Sequence, residues 1–269
     1  MKYVRIAFAA VFFGVIATLE AHAAATDWVE ETGARIRLVA AEPAAGDTQI
    51  KAALQIELKE GWKTYWRDPG DAGVPPQISV AGEGIAGVEV HYPAPDRFND
   101  GKSAWAGYKH MVAFPLTLNI SEDKPVFPIK ASSFLGICED ICIPVQSEFA
   151  LDVPQARGST ADQALVTSFF DVLPKSAVAD FKVASLSNSA SQVGIDLTAP
   201  ESEAPFEIFL AADGYMFGVP KLVSQTGNSL RYAAKVIFAP KNGTGTNVFY
   251  TVKSAKRAVS GTVPLTAGQ

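Results

Sequence analysis

The clearest signal along the chain is an alternation of apolar and polar positions with a period of two. In residues 50–59 the even positions are apolar and the odd ones mostly charged or polar, the pattern of a strand with one buried face. Residues 112–120 and 145–153 repeat it. Pro115 has no N–H to offer a ladder, so its run is expected to be an edge strand or to carry a bulge. Shorter runs predict strands at 34–39, 88–92, 127–134, 192–197, 206–211, 229–238, 247–253 and 257–263. Turn residues such as Asp68-Pro69-Gly70-Asp71 and Asn99-Asp100-Gly101 separate these runs. One segment departs from the pattern: residues 161–173 lack Gly and Pro and fit a short helix stopped by Pro174.

Regularly spaced short strands around a single helix predict an all-β chain. The expected architecture is two immunoglobulin-like β-sandwich domains, 24–156 and 157–269, joined by a short helix-containing connector.

The start of the chain reads as a secretory signal peptide over residues 1–23. Lys2 and Arg5 precede an apolar run of about 14 residues, and Ala21-His22-Ala23 supplies a small-x-small cleavage pattern. No later run approaches the roughly 18 apolar residues of a membrane helix. The expectation is a periplasmic chain of about 246 residues with no membrane span. Its formal charge is −5 before cleavage and about −6 after. That balance offers no clustered positive surface for nucleic acid and no polybasic patch for anionic lipid.

Residues 82–87 match G-x-G-x-x-G. A dinucleotide fingerprint needs a helix to open in that loop, and the segment that follows reads as a strand closed by Pro93. His91 and His110 are the histidines left after the signal segment, and neither stands in H-E-x-x-H. There is no G-x-S-x-G elbow. No metal site and no dissociable cofactor are expected.

The chemistry therefore concentrates on Cys138 and Cys142, the two cysteines of the sequence. Fully extended, their Cα atoms would stand about 13 Å apart, too far for a disulfide, so the chain must turn between them if they bond. Glu139 and Asp140 suit such a turn. Closing so short a loop removes little unfolded-state entropy, on the order of 2 kcal/mol. Spacing alone leaves a structural staple and a redox site both open. The two acids disfavour a thiolate, so the free thiol is expected to titrate above its ordinary range. Aromatic residues cluster nearby in sequence, with Trp62, Tyr65 and Trp66 in one group and Trp105 and Tyr108 in another. They read either as core packing or as a shield or docking surface.

Gly61-Trp62-Lys63-Thr64-Tyr65-Trp66-Arg67-Asp68-Pro69-Gly70, then Tyr92-Pro93-Ala94-Pro95-Asp96-Arg97-Phe98, then Gly107-Tyr108, and finally 138–144 together resemble one family. It is the amino-terminal domain of the DsbD and ScsB thiol:disulfide interchange proteins, with the suppressor-of-copper-sensitivity branch the nearer. The resemblance is dense over 28–153 and weaker beyond, where 206–210 and 214–221 resemble that branch's second β-domain.

It implies a redox pair on a hairpin. Cys142 would form the mixed disulfide with a partner and Cys138 would resolve it. It implies an aromatic cover within 97–108, with Phe98 and Trp105 both candidates for the capping ring. Tyr65, Trp66, Tyr108, Glu139 and Asp140 are the supporting candidates. The implied partners are a membrane-embedded thiol reductase on a separate polypeptide and periplasmic thioredoxin-like or disulfide isomerase-like proteins. DsbD itself spaces its cysteines more widely. Two rivals stand beside electron transport: a non-enzymatic binding module with a structural disulfide, and a copper(I)-binding, copper-tolerance protein using the thiols with His110 or Met111.

Overall fold

The computed structural model describes residues 25–43, 46–70, 73–99, 101, 103–121, 128–151, 160–189, 191–241 and 246–267. The expected signal segment, the expected domain junction at 156/157, and Asp71, Asp100, Phe127, Asp152 and Val153 lie outside them. Among the described residues no helix is long and apolar enough to cross a membrane.

The first half contains β1 (Val29–Glu31), β2 (Ala34–Ala40), β3 (Gln49–Leu58), β4 (Lys63–Gly70), β5 (Gln77–Ala81), β6 (Ile85–Val90), β7 (Asp96–Asn99), β8 (Ala104–Lys109), β9 (Met111–Ile120), β10 (Ile129–Cys138) and β11 (Cys142–Leu151). One sheet runs β1-β2-β3-β9-β6, and the other runs β11-β10-β4-β8-β7 with β5 also on β10. They enclose one core. Ile36, Leu38, Leu54, Ile56, Phe114 and Leu116 come from the first sheet, and Trp66, Tyr108, Leu135, Ile137 and Phe149 from the second.

Pro115 proves not to mark an edge. It lies inside β9, between β3 and β6, paired with Ala53. The His91 N–H donates to the Pro115 carbonyl at 2.8 Å. Proline can return no N–H to His91, so the ladder has nothing to continue with and β6 ends at Val90.

Helix α1 (Thr160–Asp171) lies against the outer face of the first sheet. Phe169 packs there on Ala53 and Ala113, two small side chains that let the helix approach. Beyond it come β12 (Lys175–Ser176), β13 (Lys182–Ser189), β14 (Gln192–Thr198), β15 (Glu207–Ala211), β16 (Met216–Phe217), β17 (Lys221–Thr226), β18 (Ser229–Phe238), β19 (Asn247–Lys253) and β20 (Ala258–Ala267). β20 pairs with β19 along 258–264 and with β13 at 265–267, so it passes from one layer of the second sandwich to the other. Phe181, Ile195, Leu197, Leu230, Val248 and Tyr250 fill the space between the layers.

The first core does not stop at its own strands. Phe209 and Ala211 of β15 belong to the same buried cluster, and Phe249 of β19 packs on it. Trp66 meets the edge of Phe209 at 5.8 Å and lies 6.2 Å from Phe249. Arg67 sits between Tyr92 and Phe249, at 4.4 and 3.9 Å from their ring centres. Strand β4 is thus the seam between the two sandwiches.

Beside this seam is a cleft of about 850 Å³ walled by Arg67, Asp68, Tyr92, Tyr215 and Phe249. Burial raises the Asp68 carboxyl to about 6, against the opposing pull of the Gly70 N–H and of Arg97. The Gly70 N–H donates to Asp68 Oδ1 at 3.0 Å. A folded pKa above the unfolded one means that the folded chain keeps this proton longer. Stability should therefore fall as pH rises from about 4 through about 6 and level off above. Asp68→Asn keeps an oxygen for the Gly70 N–H. It is expected to raise unfolding stability near pH 8 by about 1–3 kcal/mol and to flatten that decline. Denaturant titrations across the range check it, and an unchanged pH profile contradicts it.

Candidate functional site

Ile129, Ala131, Leu135 and Ile137 of β10 point into the core. The two-residue period then turns Gly136 and Cys138 to the outer face of the same sheet. Cys138 pairs with Cys142 as the last rung of the β10–β11 hairpin. The Glu139 N–H donates to the Ile141 carbonyl at 3.2 Å, which makes the cysteine rung a non-hydrogen-bonded one. Side chains approach most closely at such rungs. The Cα atoms lie 4.1 Å apart and the sulfurs are bonded.

The two sulfurs have different surroundings. Cys138 is 1% exposed, whereas Cys142 is exposed, next to Ile141 at 72% exposure. The burial of Cys138 comes from a small aromatic cluster on the outer face, made of Tyr65, Trp105 and Cys138 with Phe98 packed against them. Phe98 and Trp105 are directly opposite on β7 and β8 and stack with centroids 4.1 Å apart. Trp105 meets Tyr65 edge-on at 5.8 Å.

The Tyr65 hydroxyl lies 3.2 Å from Cys142 Sγ. A disulfide sulfur carries no hydrogen, so the phenol is the donor in this state. Two glycines make room for its ring. A Cβ at Gly73 would stand 2.5 Å from a Tyr65 ring carbon, and one at Gly136 would stand 3.3 Å away. Below the site, Thr64 Oγ1 donates to the buried Gly136 carbonyl at 3.0 Å and ties β4 to β10.

Two lysines complete the face. Lys63 is the rung partner of Cys138 on β4, and Lys109 is the partner of Lys63 on β8. Their ammonium groups lie 4.7 Å from the centre of Trp105 and 4.6 Å from that of Phe98. Each holds a ring of the cover by a cation–π contact.

Residues 35–154 match the family described as thiol:disulfide interchange protein DsbD, N-terminal. This part of the chain belongs to the DsbD amino-terminal domain family. No curated protein matches the chain. Among solved structures, the N-terminal periplasmic domain of ScsB from Proteus mirabilis aligns at 24% identity and a TM-score of 0.76, over 91% of this chain and 100% of its own. That likeness spans both sandwiches, and the fold is all-β and immunoglobulin-like. A conserved domain protein from Bacillus anthracis aligns over 89% of this chain and 88% of its own at 10% identity, with a TM-score of 0.21 that carries no weight for the fold.

Within this DsbD-type domain the candidate residues divide by face. Tyr65, Phe98 and Trp105 gather at the disulfide. Glu139 and Asp140 form the exposed hairpin turn. Trp66 and Tyr108 are corrections to the sequence expectation, because each follows an outward residue by one position and so faces the core. Trp66 packs on Phe209, and Tyr108 packs on Phe114 and donates its hydroxyl to the Pro93 carbonyl at 2.9 Å. Lys63, Lys109, Gly73 and Gly136 escaped sequence reasoning. The signal available was parity: Lys63 shares that of Tyr65, and Gly136 that of Cys138. Among the described residues no group of three or more His, Cys, Asp or Glu could hold a metal ion.

The arrangement presents one sulfur to solvent with a hydroxyl donor on it, and keeps the other under aromatic rings. The donor stabilises negative charge on Cys142, whereas the turn acids act through solvent, where their field is screened. Tyr65→Phe removes the hydroxyl and keeps the ring. In the reduced chain it is expected to raise the Cys142 thiol pKa and slow attack on a model disulfide about tenfold, as for one hydrogen bond to a charged group. Thiolate absorbance against pH checks it, and an unshifted titration contradicts it.

Proposed function

We propose that this chain is a periplasmic thiol–disulfide exchange protein that relays two electrons through Cys138 and Cys142. In this reading a membrane-embedded thiol reductase on another polypeptide reduces the pair, and oxidised thioredoxin-like or isomerase-like proteins receive the electrons. The observation that carries it is the asymmetry of the pair: Cys142 is open to a partner and Cys138 is closed to one. A staple gains nothing from that arrangement, whereas an exchange site needs one attacking and one resolving sulfur. Membership of the DsbD amino-terminal family supports the same chemistry.

The Cys142 thiolate attacks one sulfur of the partner disulfide, an intermolecular S–S bond forms, and the partner's other sulfur leaves as a thiolate. The Cys138 thiolate then attacks Cys142 Sγ, closing the intramolecular disulfide and releasing the partner as a dithiol with two electrons and two protons gained. Reduction of this chain runs the same sequence in reverse, with a dithiol donor attacking Cys142. The Tyr65 hydroxyl, which lies against Cys142 Sγ in the disulfide, is placed to favour its thiolate form.

Cys138→Ser removes the resolving sulfur. Expressed with its signal segment, it is expected to accumulate mixed disulfides through Cys142 with thioredoxin-fold proteins. Cys142→Ser is expected to accumulate few or none. Equal trapping by the two variants, or none by either, contradicts the proposal.

A further inference from the structure

The strand that carries Phe98 also touches the second sandwich. On β7, Phe98 turns outward to stack on Trp105 over the cysteines. Its neighbour Arg97 turns the other way. Arg97 Nη2 donates to the Ile208 carbonyl of β15 at 2.8 Å, and its guanidinium lies 4.5 Å from the centre of the Phe209 ring. Asp96 forms an ion pair with Lys253 of β19. Strand β7 is therefore held at three consecutive positions, one by the cover and two by the second sandwich. Two strands from β7, Trp66 of β4 packs on Phe209 while Tyr65 contacts Cys142 Sγ.

We propose that the second sandwich is a clamp on the β7–β8 hairpin, and that Arg97 and Lys253 are positioning residues whose contacts keep Cys138 covered so that exchange takes place at Cys142 alone. The inference rests on the exchange reading above and gives the second sandwich a part in it. Cys138 is covered by rings on β4 and β8, and the β8 ring is backed by β7. In the β11-β10-β4-β8-β7 sheet, β7 is the terminal strand, with a strand neighbour on one side only. A four-residue terminal strand frays readily unless something outside the sheet holds it. The part-buried, charge-assisted Arg97 bond is the stronger contact. The solvent-facing Asp96–Lys253 pair adds less.

The test is the alkylation of each thiol in the reduced full-length chain by iodoacetamide, followed site by site in digested peptides. Each thiolate displaces iodide, and the rate reports access to that sulfur whether or not any protein partner exists. The parent is expected to label Cys142 quickly and Cys138 slowly. Arg97→Gln is expected to raise the Cys138 rate about tenfold with Cys142 unchanged. Lys253→Met, a surface change that leaves the core intact, is expected to raise it by up to about fivefold. In a Trp105→Leu background, or in Phe98→Ala if that variant does not fold, the same clamp substitutions are expected to add little, because the cover they act through is already breached. An unchanged Cys138 rate in Lys253→Met and Arg97→Gln overturns the clamp. So does a parallel rise at both sulfurs, or the full effect persisting without Trp105. Failure of the exchange reading would show instead as absent trapping with these labelling rates intact.

Discussion

Cross-strand pairing at the end of one hairpin governs this site. Because Cys138 and Cys142 form a non-hydrogen-bonded rung of an antiparallel pair, their side chains emerge on one face at the closest spacing that a sheet offers. Because the core takes the odd residues of β10, that face is the outer one. A shift of register by one residue would bury both sulfurs in the sandwich and put Ile137 and Ile143 outside. The hydrophobic alternation that folds the domain thereby also exposes its chemistry.

Strand β4 carries the same logic to the rest of the molecule. Its outward residues, Lys63 and Tyr65, address the cysteine rung and the ring stack. Its inward residue Trp66 joins the core and the seam with the second sandwich. Strand β7 repeats the division, with Phe98 outward and Arg97 toward β15. Two adjacent positions on each strand thus couple the redox face to a surface on the other side of the sheet. Glycine at 73 and 136 keeps the Tyr65 ring where its hydroxyl reaches sulfur.

Much of this was legible in the sequence where one period dominated. The strands at 229–238 and 247–253 match the predicted ranges at both ends, because their alternation runs uninterrupted between turn residues. The cysteine pair stood out because nothing else in the chain offered comparable chemistry. Strand β4 was hidden. Asp68-Pro69-Gly70 reads as a turn, yet the strand continues through it to Gly70, with its pairing to β8 interrupted between Tyr65 and Gly70. Without that strand the sides of Tyr65 and Trp66 cannot be separated, so Trp66 reads as a supporting candidate beside Tyr65. The choice between Phe98 and Trp105 was undecidable from spacing because the two are rung partners and act as one stack. The seam at Phe209 and Phe249 depends on contacts more than 100 residues apart in sequence, which no local pattern encodes.

The exchange chemistry requires the Cys138–Cys142 bond to be a working couple and not a brace. Its reduction potential, measured in the full-length chain by equilibration with glutathione buffers and with a thioredoxin-like dithiol donor, tests that most directly. A working couple is expected to show a potential above about −300 mV and ready turnover by the protein donor. A potential well below that value, with a bond inert to the donor, would contradict it.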